Sequence, residues 1–235
     1  MAAQAWEARQ EGVPVSGSLV LDEIAGGIDH RLVQRSLSQY GECEARLIVH
    51  LPTVNGRNHQ SRLKRQTAHS ILNSHPIKPL TVSRDGKLIE KTLDILRMSR
   101  DYPIVVSTGH ADAEEVQMLI DAAVLYGVPK LMLNQPANPL TGYNADALLR
   151  LSQAPMVYIE QTALTDLLGY QAWEDFSMVL KSVPQILYSS DLGQTTQLDI
   201  EQWLKESACW FQRMGLNSDR LEAIRRENVL EMLEV

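Results

Sequence analysis

The chain has 235 residues, 44% of them hydrophobic, a formal charge of −7 and two cysteines. That suits one large domain or two small ones with a sizeable core, and argues against a disordered chain or a disulfide framework; without internal repeats or linker-like composition, a single domain over residues 1–235 is expected. The acidic balance argues against nucleic acid or an anionic membrane as a partner, and no run approaches the about 18 apolar residues of a membrane span.

In chain order, the N-terminal MAAQAWEARQEG is polar and helical in character, without the apolar stretch of a secretory leader. The first apolar run is SLVLD (18–22), followed by a helical pattern from Asp29 to Tyr40 that stops near Gly41. ARLIVHL (45–51) is the second run. The stretch from Asn55 to Lys87 reads as a long irregular segment, rich in His, Asn, Arg and Ser. Its basic run of Arg57, Arg62, Lys64 and Arg65 reads as a solvated face, and Thr81 to Ile89 as a small hairpin turning at Asp85-Gly86. Leu88 to Arg100 reads as a helix with Leu88, Ile89, Leu93, Leu96 and Met98 toward a core. Then come PIVVSTG (103–109) and a helix from Asp112 to Tyr126, capped by Asp112 and stopped by Gly127, with Val116, Leu119, Ile120, Ala123 and Val124 on one stripe.

KLMLNQ (130–135), PMVYIEQ (155–161) and QILYSSD (185–191) complete six short apolar runs. Helical patterns at Ala145–Leu151, Trp173–Ser182, Leu198–Met214 and Ser218–Met232 separate or follow them, the last with Ser218 as its cap. Cys43 and Cys209 lie far apart without metal-type spacing, which points to a reducing cytoplasm; Cys209 reads as a buried helix residue. Near-continuous apolar runs alternating with helices predict a parallel sheet buried on both faces.

Four of these strands end in polar residues: Thr108-Gly109-His110, Asn134-Gln135, Glu160-Gln161 and Ser190-Asp191. In parallel α/β folds, sites are built at the C-terminal strand edge. His110 sits at a strand-to-helix junction, where it either bonds backbone or faces a metal or substrate. Asp191 can cap a helix, bond the Gly193 amide, ligate a cation or act as a base. His59 follows the second strand and can reach such a rim, while His50 reads as a core or supporting histidine and His30, His69 and His75 as surface or loop residues. Glu160 ends an apolar strand, where an unpaired charge costs several kcal/mol. His59, His110 and Asp191 make a permissible metal set, without an H-x-H or H-E-x-x-H motif. The chain also lacks a phosphate loop and a G-x-S-x-G elbow.

The succession GSLVLDEIAGGIDHRLVQRSL, LPTVNGRNHQ, STGHADAEEVQMLIDAA, LMLNQP, VYIEQT, YSSDLGQ and ENVLEML resembles an uncharacterised branch of the amidohydrolase-like metal-dependent hydrolase superfamily. The resemblance implies a (β/α) TIM-barrel-like fold, incomplete at about six strands or completed by oligomerisation as a homodimer or other homo-oligomer. Relatives open with a strand ending in H-x-H, which is absent here, so the first two strands are expected to be missing. Where relatives show T-H-P this chain has Asn134-Gln135-Pro136, and where they show E-H it has Glu160-Gln161. Glutamine lacks a basic ring nitrogen and is a weaker ligand.

What remains of the implied site is His110 and Asp191 as catalytic groups and, with His59, as metal ligands. Asn58, Gln135, Glu160 and Gln194 are the substrate-binding candidates. Zn²⁺ or another divalent metal, weakly held, is one expectation and no cofactor is the other. The resemblance thus implies a hydrolase of small molecules with a diminished metal site, or an inactive relative serving as a binding or assembly subunit. A metal-free lyase using Glu160, His110 and Asp191 as acid–base groups is a third reading.

Overall fold

The computed structural model describes residues 7–8, 10–12, 15–40, 45–56, 77–193 and 197–234. All six apolar runs are strands: β1 (Ser18–Val20), β2 (Leu47–His50), β5 (Ile104–Ser107), β6 (Leu131–Leu133), β7 (Val157–Thr162) and β8 (Ile186–Ser189). They form a six-stranded parallel sheet in the order β1-β2-β5-β6-β7-β8, an open array rather than a closed barrel. A separate antiparallel hairpin joins β3 (Ser83–Arg84) to β4 (Lys87–Leu88). Its turn is Asp85-Gly86, with φ of 52° and 72° at the two central positions. Positive φ at both is the signature of a type I′ turn, which the Asp-Gly pair favours.

Two compact units divide the chain, the first carrying β1 to β6 and the C-terminal stretch from Leu230, the second running from Gln135 to Val229. In the first unit, α1 (His30–Ser38), α2 (Glu90–Met98) and α3 (Ala113–Tyr126) accompany the strands. β5 and β6 are buried at every residue, as strands covered on both faces must be. Asp112 caps α3 in a full capping box with Glu115, and Gly127 ends it at φ 67°. Glu115 is buried and also accepts a 2.6 Å bond from the Ser83 hydroxyl, which anchors the hairpin to the helix start. The C-terminus docks back onto this unit: the Arg46 amide donates to Leu233 O at 3.0 Å, and its guanidinium meets Glu234 at 2.7 Å.

The second unit holds β7, β8, α4 (Ala145–Leu151), α5 (Ala163–Leu167), α6 (Trp173–Ser182) and α7 (Ile200–Met214). It closes with α8 (Ser218–Glu222), a π-helical turn (Ala223–Glu227) and the start of α9 (Asn228–Leu233). Among the described residues, β8 meets a strand on one side only. Its other side is covered by side chains: Asn228 Nδ2 donates to Ile186 O at 2.8 Å and to Pro184 O at 3.0 Å. Covering an edge in this way removes a template for unwanted strand pairing.

Four expectations need correction. The terminal helix is not continuous from Ser218 but broken by the π turn, and its cap is Asn217, whose side chain accepts from the Arg220 amide at 2.9 Å. Val124 is 65% exposed: in the last turn of α3 it falls one step off the Val116, Leu119, Ala123 row. Cys209 is exposed, because the buried stripe of α7 runs Ser207, Trp210, Phe211, Met214 and skips it. The helix expected from Leu88 starts at Glu90, since Leu88 belongs to the hairpin.

Candidate functional site

The strand ends of the first unit are cross-linked to one another. Asp22 follows β1 and is buried, and its carboxylate accepts three bonds from the loop after β2. The donors are the Thr53 amide (2.8 Å), the Thr53 hydroxyl (2.7 Å) and the Val54 amide (2.9 Å). A charged acceptor with three donors offsets the cost of burying its charge. The loop after β5 is tied to the same segment: the His110 amide donates to Pro52 O at 3.1 Å, and Asn55 Nδ2 donates to His110 O. Gly109 between them has φ 58°, and a Cβ there would lie 2.1 Å from Leu51 O. Only glycine permits this left-handed backbone and this close approach together. Thr108 extends the tie to the end of β6, its hydroxyl accepting from the Asn134 amide at 3.0 Å.

Two histidines face this rim. His110 is partly buried on the β5 loop. His50 ends β2 in register with Ser107 of β5, and its Nδ1 lies 2.9 Å from the Ser107 hydroxyl. Burial pushes the His50 imidazole down to about 4, and the neighbouring His110 adds to the effect. His50 is therefore neutral at physiological pH and adds no positive charge to the rim. It is tied to the neighbouring strand through Ser107.

The remaining expected site residues belong to the second unit, where they are used differently. Glu160 is partly buried on β7 and accepts a 2.8 Å bond from the Ser189 hydroxyl of β8. Gln161 is 1% exposed. Its Nε2 donates to Thr165 Oγ1 at 2.8 Å and to Gln171 Oε1 at 2.9 Å. Gln171 in turn donates to Asp175 Oδ2 at 2.7 Å, and Asp175 Oδ1 receives the Ala145 amide at 2.8 Å. This chain joins β7 to α5, α6 and the start of α4, so Gln161 serves the packing of its unit. Gln135 takes φ 47°, and its carbonyl accepts from the Asn138 amide at 3.0 Å, opening the turn before α4. Asp191 lies two residues past the end of β8, exposed and at φ 51°. An exposed carboxylate carries no burial penalty, which answers the question its apolar neighbours raise.

Asn58, His59 and Gln194 lie outside the described residues, as do Arg57, Arg62, Lys64, Arg65, His69, His75 and Cys43. Among the described residues, no group of three or more His, Cys, Asp or Glu side chains is arranged to hold a metal ion. No described helix is long and apolar enough to cross a membrane. Sequence reasoning missed Asp22 and Gly109. The first carried a readable signal, an acid closing an apolar run as Asp191 does, whereas the second depends on a backbone contact that no local pattern announces.

A family of unknown function, DUF6282, matches residues 1–160, more than half of the chain. The chain belongs to the DUF6282 family. No curated protein and no solved structure matches it. Asp22, His50, Gly109 and His110 all fall inside the DUF6282 match, and Asp191 falls beyond it.

Proposed function

We propose that the chain is an amidohydrolase-like protein that handles a small molecule at the strand-end rim of its first unit, with a diminished metal site. The carrying observation is the bracing of His110: its amide and carbonyl are both bound by the loop after β2, and that loop is fixed by Asp22. Such backbone fixing holds the position of a reacting side chain. A catalytic zinc takes three protein ligands, and this unit's described rim offers one imidazole with a neutral one beside it. Two imidazoles fall short of that number, so a divalent cation such as Zn²⁺ would be only weakly held there.

A bound cation would supply a water made acidic enough to attack a carbonyl. His110 would hold it or carry the proton, and Asp22 would keep the loop in place. The second reading is an inactive relative that binds a ligand or assembles as a homo-oligomer. The use of Gln161 for packing favours it, since no ligand replaces the histidine there.

Metal analysis of the full chain, purified without chelator and then offered Zn²⁺, separates the readings. The first predicts saturable uptake and hydrolysis of small amides or esters that His110→Ala removes. Uptake below about a tenth of an equivalent after reconstitution, with no turnover, leaves the binding reading.

A further inference from the structure

A pocket of about 220 Å³ lies in the second unit among β8, α7 and the π turn. Its floor is aromatic. The Tyr188 and Trp203 rings stack with centroids 6.0 Å apart, and Phe211 meets Tyr188 edge-on at 5.0 Å. The polar atoms of that floor are mutually satisfied: Trp203 Nε1 donates to the Tyr188 hydroxyl at 3.2 Å, which lies 2.7 Å from the buried Ser207 hydroxyl. Burial pushes the Tyr188 hydroxyl up, so it stays neutral at physiological pH. Leu204, 47% exposed, stands at the mouth.

Arg225 is the one charged side chain in the lining. It sits inside the π turn, whose extra residue shifts side chains off the usual helical rows. Its neighbour Arg226 makes an ordinary i,i+4 pair with Glu222 at 3.0 Å, whereas Arg225 has no ion pair among the described residues. Its charge reaches the Tyr188 hydroxyl. The groove on the first unit lined by Arg97, Arg100 and Tyr102 differs: there Arg97 meets Glu90 and Asp94, and Arg100 meets Asp101.

We propose that this pocket binds a small carboxylate carrying a planar aromatic ring. Rings stack or meet edge-on against such a floor, and a guanidinium matches a carboxylate with two parallel hydrogen bonds. The volume equals about seven waters at about 30 Å³ each, enough for a single ring with its carboxylate. A single cation and apolar walls suit a monoanion rather than a phosphate dianion. The site uses no residue of the first unit's rim and stands apart from the reaction proposed there.

The test is titration of the full chain with benzoate, followed by the Trp203 indole N–H resonance. Saturable binding is expected, about tenfold weaker for neutral benzamide and for benzoate with Arg225→Gln, as loss of one charge-assisted contact implies. Leu204→Trp should fill the mouth and abolish binding. Both changes are on exposed side chains, and an unchanged melting midpoint shows that each variant folds. No saturable shift into the millimolar range, benzamide binding as tightly as benzoate, or full binding by Arg225→Gln or Leu204→Trp overturns the proposal.

Discussion

The strand ends of the two units present similar residue types and use them in opposite ways. In the first, Asp22, Gly109 and the His110 backbone tie three successive loops together. In the second, Glu160 and Gln161 are themselves bound, to Ser189 and to the Thr165–Gln171–Asp175 chain, while Asp191 stands exposed. A polar residue at a strand end is thus weak evidence of function until its bonds are known. In the first unit, backbone groups and one carboxylate hold the loops. Where side chains hold the packing, they are spent.

The sharpest way to break this contrast is at glycine. Gly109→Ala places a methyl group 2.1 Å from Leu51 O on a backbone at φ 58°. The backbone of two loops must separate, so we expect a loss of at least about 4 kcal/mol, or failure to fold. Gly193, past the end of β8, meets no atom within 4 Å. Gly193→Ala should cost about 1 kcal/mol, the backbone preference alone. Denaturant melts of the two variants decide it, and near-equal losses would show that the first rim is not braced as described.

Most of the fold was legible in the residues. All six apolar runs are strands, and the Asp112 cap, the Gly127 stop and the Asp85-Gly86 turn lie where local chemistry places them. Failures came where one element's fate depends on another. Ser218 looked like a cap because it precedes an apolar pattern, yet the adjacent Asn217 side chain reaches the Arg220 amide. The π turn has no sequence signature, and it places Arg225 at a pocket that no motif announced. At the site, His110 was readable from its strand-end position. The brace around it was not, because Asp22, Leu51 and Gly109 meet only across strands. Gln161 was read as a weakened ligand position, while its network lies in α5 and α6, up to 14 residues further on in sequence about which strand-end logic is silent.

Acid sharpens the comparison at the next level. His50 titrates near 4 in the folded chain against 6.5 when free. Between those values the unfolded chain takes up a proton that the folded chain excludes, so stability falls as pH drops from 6.5 toward 4 and levels off below. At neutral pH the group adds no pH dependence. The full loss is about 3 kcal/mol. Residues 135–229 hold no histidine, so that stretch has no counterpart. Urea melts at pH 7 and pH 4.5 should show the fall in the parent and much less of it in His50→Gln. An equal fall in both assigns the acid sensitivity to other groups.

The smallest expected effect lies at the covered edge of β8. Asn228 gives its amide to Ile186 O and Pro184 O, two carbonyls on the side of the strand without a neighbour. Asn228→Ala removes both bonds, opening Ile186 O to water and leaving Pro184 O to Arg220, so the loss is the net worth of the bonds, about 1–2 kcal/mol. Asn228→Asp should lose at least as much, because a carboxylate offers no donor and repels the carbonyl oxygens. The second unit would then differ from the first in kind: its edge is held by replaceable side chains, Asn228 and, at Pro184, Arg220, whereas the first unit's rim is held by backbone. Hydrogen exchange at β8 reads this directly. Faster exchange confined to Ile186–Ser189 and its neighbours in Asn228→Ala supports a local cap, and uniform acceleration across both units would mean that the edge contributes to the stability of the whole chain.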